Sequence, residues 1–236
     1  MAVQAIIHQS PILLDLTPAP LIAHCCFNIK EYNDSLFQNY NIEMPAELSQ
    51  AVTKRRCEYL AGRVLFQHLL KQYRLPCTQL LNSLDGAPSW PVGYVGSISH
   101  ADGNAICCLM PENVYAAVGI DIESILSPES VSELAPHILQ PEEQRLLSSN
   151  TCLDDAELLT IAFSAKESLY KALYPQVKRF FGFEAATIKN IMPSKQTFIL
   201  SLNTELTPQL TMGSEFYGHY CFINKQVITL IVLPTN

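Results

Sequence analysis

Val118-Gly119-Ile120-Asp121-Ile122-Glu123 alternates with the period of two that a β-strand imposes on its side chains. Asp121 and Glu123 therefore share one face, while Ile120 and Ile122 point into a core. Two carboxylates aimed at one place repel each other unless a cation or a basic group lies between them. A solvent-facing edge strand would need no such partner, and the segment alone leaves both readings open.

The same period runs outward on the N-terminal side. Residues 92–125 read as a strand, a turn at Ala101-Asp102-Gly103-Asn104, a strand from Ala105 to Met110 and a strand from Tyr115 to Glu123. Before them, Leu48, Val52, Leu60, Val64 and Leu69 recur at helical spacing from Ala46 to Tyr73, between Pro45 and Pro76. β-like runs at Ala5 to Leu16 and Leu21 to Ile29, broken by Pro11, Pro18 and Pro20, open the chain. Helical patterns follow at Pro128 to Leu147 and Asp155 to Leu173. From Thr197 the tail is β-rich, with strands at Phe216 to Ile223 and Val227 to Leu233 around a turn at Asn224-Lys225. Two successive arcs of strand and helix predict an α+β protein in two halves, 1–116 and 117–236, with no flexible linker between them.

Of the 236 residues 48% are hydrophobic and 16% charged, the balance of a folded protein and not of a disordered one. A net charge of -7 argues against nucleic acid as a main partner. It leaves room for a small phosphorylated ligand, which needs only a few placed cations. Basic residues do cluster, at Lys54, Arg55, Arg56 and Arg63 and again at Lys166, Lys171, Lys178 and Arg179. No run is apolar and long enough to cross a bilayer, and no Lys or Arg precedes Lys30, so a cytoplasmic protein is expected. The eight cysteines include the adjacent pairs Cys25-Cys26 and Cys107-Cys108 and lack zinc-site spacing; they read as reduced, mostly buried thiols.

Three further segments could carry chemistry. In Phe163-Ser164-Ala165-Lys166-Glu167-Ser168-Leu169-Tyr170-Lys171, an apolar stripe (Leu158, Ala162, Ala165, Leu169, Ala172) adjoins a polar one (Thr160, Ser164, Glu167, Lys171). Taken alone, Glu167 and Lys171 are a surface pair at i,i+4, and a capping box at Ser164 is disfavoured by the unbroken apolar phase. In Gly96-Ser97-Ile98-Ser99-His100, neighbouring side chains point to opposite faces, and no elbow surrounds either serine. Hydrogen bonding to a phosphate is a better use of Ser99 and His100 than nucleophilic catalysis. Arg56 and Arg63 lie two turns apart on one helix face, where arginine forks suit a phosphate dianion. The Ala61-Gly62 pair beside them costs helix propensity, which implies a close neighbour.

In their joint order these segments resemble the 4'-phosphopantetheinyl transferases, and more narrowly the branch that serves enterobactin-type siderophore synthetases. The match extends from Lys54 through Ala186 and includes Trp90-Pro91 and Gly182-Phe183. The resemblance implies a pseudo-dimer of two similar α+β halves with the active site in the cleft between them. It implies Mg²⁺ held by Asp121, Glu123 and Glu167, and coenzyme A as co-substrate. Lys171 would stabilise the departing 3',5'-ADP, Arg56, Arg63, Ser99 and His100 would hold the 3'-phosphate, and Glu167 or a metal-linked water would take the proton of the acceptor serine. The acceptor would be an apo carrier protein, docked by Lys178, Arg179, Phe180 and Phe181, and two fused halves make a monomer the simpler expectation. The family's lysine near the adenine has no counterpart in Asp85-Gly86-Ala87-Pro88, and residues 1–45 follow no family pattern. A catalytically silent coenzyme A or carrier-binding relative, or a metal-dependent phosphohydrolase, would use the same residues differently.

Overall fold

The computed structural model describes residues 3–6, 20–148 and 152–235. Its chain separates into two compact units, 1–114 and 115–236.

In the first unit, β1 (Val3–Ile6), β2 (Leu21–Phe27), β3 (Tyr94–Ala101) and β4 (Asn104–Pro111) form an antiparallel sheet in the order β1-β2-β4-β3. Of the expected opening run to Leu16, residues 7–16 lie outside the described residues. A short helix α1 (Ser35–Asn39) and a 3-10 turn at Ala46–Gln50 lead into α2 (Thr53–Gln72), which starts later than its apolar spacing predicts. Leu60, Leu65, Phe66, Leu69 and Leu70 of α2 bury their side chains with Ala23, Cys25, Ala105, Cys107 and Leu109 of the sheet. Gly62 is where α2 comes nearest β3: a Cβ there would lie 3.0 Å from Ile98 Cγ2. That contact is the close neighbour the Ala61-Gly62 pair implied.

The second unit is a five-stranded antiparallel sheet in the order β5-β9-β8-β7-β6. Its strands are β5 (Tyr115–Ser124), β6 (Ala186–Met192), β7 (Thr197–Leu202), β8 (Glu215–Ile223) and β9 (Gln226–Pro234). The β8–β9 turn falls at Asn224-Lys225, with Asn224 at φ 55°. β6 precedes the start of the β-rich tail as read from sequence. Its backbone is irregular between Ile188 and Asn190, which breaks the alternation that would have exposed it.

The single helical run expected from Pro128 to Leu147 is two helices, α3 (Pro128–Ile138) and α4 (Pro141–Ser148). α3 ends at Leu139, which is extended (φ -101°, ψ 135°), and Pro141, whose ring disfavours the α region at Gln140, opens α4 where its missing amide hydrogen costs nothing. The long helix α5 (Asp155–Val177) follows. Its N-terminus is fastened by a reciprocal capping box, Asp154 Oδ1 accepting from Glu157 N at 2.8 Å and Glu157 Oε2 from Asp154 N at 3.1 Å. The helix thus starts three turns ahead of Ser164, which frees Ser164 for another task. α5 lies along β5 and β9, and Leu158, Ile161, Ala165, Leu169 and Leu173 pack into the core of this unit.

Candidate active site

β5 is an edge strand, yet Asp121 is only 1% exposed, because α5 covers its face. Buried charge is costly unless it is paired and hydrogen-bonded, and Asp121 is both. Lys171 Nζ donates to its Oδ1 at 2.5 Å, and Ser164 Oγ donates to its Oδ2 at 2.7 Å. Thr229 of β9 sits beside this pair: Ser168 Oγ donates to its Oγ1 at 2.7 Å, and the same oxygen lies 2.9 Å from Ser164 Oγ, whose proton is given to Asp121. Thr229 in turn donates to the Ser164 carbonyl at 2.8 Å. Strand-on-helix proximity, not surface pairing at i,i+4, therefore sets the Lys171 partner.

Glu167 is half-buried one turn before Lys171. Burial pushes its carboxyl above the ordinary range, Lys171 pulls it down, and the charge of Asp121 pushes it up again. The two carboxylates and the lysine thus act on one another. Glu123 is half-buried two residues along β5, on the Asp121 side of the strand. Among the described residues, no group of three His, Cys, Asp or Glu side chains is arranged to hold a metal ion, and Lys171 meets the charge of Asp121 instead. In chemistry the carboxylate oxygens on β5 and α5 are hard donors of the kind a divalent cation takes.

Lys166 does not join Lys171 in a basic patch. It is buried, and its Nζ donates to Glu143 Oε2 and the Ile138 carbonyl at 2.8 Å each and to the Phe183 carbonyl at 3.2 Å. Glu143 spends its other oxygen on Ile188 N at 2.6 Å, so this pair ties α3, α4 and β6 to α5. Beyond the helix, Phe180 is exposed and stands against Tyr170, as does Phe181, while Lys178 lies over the Tyr174 ring.

The first unit distributes its predicted residues differently. Arg56 Nη1 donates to Asp34 Oδ2 at 2.7 Å. Arg63 is buried over the Tyr59 ring, and its guanidinium donates to the Leu80 carbonyl at 3.3 Å and to Asn82 Oδ1 at 2.5 Å. These two arginines hold the loops before and after α2, and neither is gathered with His100. Ser99 is buried on the opposite face of β3 from His100. The group that does meet His100 is Arg55, whose Nη1 lies 3.0 Å from the ring Nε2, with Glu58 Oε1 3.6 Å from Nδ1. A signal for both was available: Glu58 and Arg55 lie four and seven residues before Gly62, on the stripe that Ile98 meets.

Two family profiles match the chain. The 4'-phosphopantetheinyl transferase N-terminal domain covers residues 44–110, and the 4'-phosphopantetheinyl transferase superfamily covers residues 117–229. Enterobactin synthase component D of Salmonella typhi is 34% identical over 223 residues, 93% of this chain and 90% of that protein. The protein of that name in Escherichia coli strain K12 is 34% identical over 186 residues, 78% of this chain and 81% of its own length. The 4'-phosphopantetheinyl transferase Npt of Nocardia iowensis is 34% identical over 148 residues, 61% of this chain and 64% of that protein. With two profiles in register with the two units, and near-full-length similarity to component D, the chain belongs to the 4'-phosphopantetheinyl transferase superfamily.

Proposed function

We infer that the chain moves the 4'-phosphopantetheine group of coenzyme A onto a serine hydroxyl of an apo carrier protein and releases 3',5'-ADP. The observation that carries this reading is the contact of Lys171 with buried Asp121, with Glu167 one turn away, in a member of this superfamily. In the transfer the serine oxygen bonds to the phosphorus nearer pantetheine. The bond from that phosphorus to the bridging oxygen breaks, and its electron pair leaves with 3',5'-ADP.

Negative charge grows on the departing oxygen, and Lys171 supplies a donor for it from a fixed helix position. Glu167, whose burial favours holding a proton, accepts the one that the serine loses. Asp121, Glu123 and Glu167 would hold Mg²⁺, which when bound neutralises pyrophosphate charge. In the first unit, Arg55 and His100 offer a guanidinium and an imidazole to the 3'-phosphate. The exposed Lys178, Arg179 and Phe180 beyond α5 suit a carrier surface that is acidic with an apolar centre. The names of the similar proteins favour carriers of enterobactin-type siderophore assembly. Among the described residues no helix is long and apolar enough to cross a membrane.

The test is intact-mass analysis of a panel of apo carriers incubated with the chain, coenzyme A and Mg²⁺. The expected result is a gain of one phosphopantetheine group on at least one carrier, lost in Glu167→Ala and on chelation of the metal. Coenzyme A binding without any carrier modification would point to a silent relative. Phosphate release from simple nucleotides without a carrier would point to a phosphohydrolase.

A further inference from the structure

We propose that Glu58 is a positioning residue for coenzyme A: its charge beside the ring favours the His100 proton on Nδ1 and leaves Nε2 for the 3'-phosphate. It also supplies the counter-charge when the ring takes up a second proton there. The inference rests on the reading of Arg55 and His100 as the 3'-phosphate subsite, and adds to it a residue that never touches the ligand.

The argument begins with what each group can donate. An arginine has no acceptor, so the 3.0 Å contact between Arg55 Nη1 and His100 Nε2 makes Nε2 the acceptor. The remaining ring proton then sits on Nδ1, on the side of Glu58 Oε1 at 3.6 Å, too long for a hydrogen bond from the neutral ring but within ion-pair reach once the ring is charged. Glu58 is 7% exposed, an expensive position for a carboxylate, and an apolar residue would serve packing alone at less cost. Burial raises its pKa, Lys54 and Arg55 oppose that, and Asp102 in the β3–β4 turn adds to it. Lys54 Nζ stands 3.9 Å from the same Oε1. Lys54 and Arg55 are exposed on the first turn of α2, so a phosphate monoester has open access to the cationic side of the triad while Glu58 stays behind it.

When a dianion arrives, Arg55 turns its donors to the phosphate oxygens, and Nε2 exchanges an acceptor role for a donor role by taking one proton from water. The imidazolium that results is stabilised from behind by Glu58, as histidine in a carboxylate's field requires. Binding of the 3'-phosphate is therefore linked to proton uptake, and the linkage depends on the charge at position 58.

Calorimetric titration of the full chain with coenzyme A and with dephospho-coenzyme A, which lacks the 3'-phosphate, tests this between about pH 6.5 and 8.5, above the second ionisation of the phosphate. The wild type is expected to favour coenzyme A by about tenfold or more at the acid end, with the preference shrinking as pH rises. Glu58→Gln is expected to reduce the preference to about two- or threefold and to flatten its pH dependence, raising KM for coenzyme A at unchanged kcat. Glu58→Asp should restore part of the pH dependence. An E58Q variant with wild-type preference and pH profile overturns the role of Glu58. A wild type that does not distinguish the two ligands overturns the subsite reading instead. Nitrogen-15 NMR of His100 in the ligand-free wild type needs no variant: the Nδ1–H tautomer is expected, and an Nε2–H tautomer refutes the proposal.

Discussion

A Cβ on Gly119 would lie 1.8 Å from the carbonyl oxygen of Ser168, so α5 crosses β5 with room for a hydrogen and nothing larger. This closeness lets short side chains do long-range work. Ser164 reaches Asp121 directly, and Lys171 closes on the same carboxylate from the next turns of the helix.

Gly119→Ala therefore has to lift α5 off the sheet. Backbone stands in the way instead of a flexible side chain, so the cost is expected at or above the upper end of ordinary overpacking, about 3 kcal/mol. Denaturant unfolding should show it, and phosphopantetheinyl transfer should fall with it, because Asp121 and Lys171 are carried apart. A Gly119→Ala protein of wild-type stability and rate would contradict the close crossing.

Lys171→Met removes the cation beside Asp121 while keeping the stem of the side chain. Transfer to an apo carrier is expected to drop about a hundredfold or more, in kcat and not in KM for coenzyme A. Asp121 is then left buried without its cation, so a loss of stability is expected as well, and the rate is to be compared on protein shown to be folded. Retention of more than about a tenth of the wild-type rate would remove Lys171 from the chemistry.

Lys166→Met tests the buried pair on the far side of α5. Glu143 would be left as a buried, uncompensated carboxylate, a loss of about 3–5 kcal/mol. Glu143→Gln keeps an acceptor for Ile188 N or Gln140 N but not the charge. The double variant should be more stable than the two single losses sum to, by about 1 kcal/mol or more in a double-mutant cycle. Additive losses would mean that the two charges do not interact.

All eight cysteines are free, and only Cys26, Cys77 and Cys152 are exposed. Burial pushes Cys25 and Cys221 up to about 12 and Cys57 up to about 11, far from a reactive thiolate at neutral pH. A thiol reagent at about pH 8 should modify Cys26, Cys77 and Cys152 in the folded protein and the other five only after denaturation. Rapid native modification of Cys107, whose burial also holds its thiol protonated, would contradict the core of the first unit.

Much of this was open to inspection in the linear chain. The period of two from Val118 to Glu123 and the helical stripe through Leu158 and Leu169 are consequences of local backbone geometry, and both elements stand where their patterns put them. The break before Pro141 is equally local, a proline marking the start of a second helix within one helical pattern. β6 stayed hidden because the register shift after Ile188 disrupts the alternation by which strands are recognised. Lys166 clusters with Lys171 along the chain yet is buried, because charge in a sequence carries no label of depth.

By itself the sequence determined the α+β architecture, the family, and the residue types able to bind phosphate or a divalent ion. Those follow from periodicity and from motif order, which are properties of neighbours along the chain. Only the tertiary structure decided that Arg55 meets His100 while Arg56 turns to Asp34, and that Lys171 pairs with Asp121 across fifty residues. Adjacent side chains on a helix point about 100° apart, so a one-residue difference in phase chooses the partner, and that phase is set by what packs against the helix.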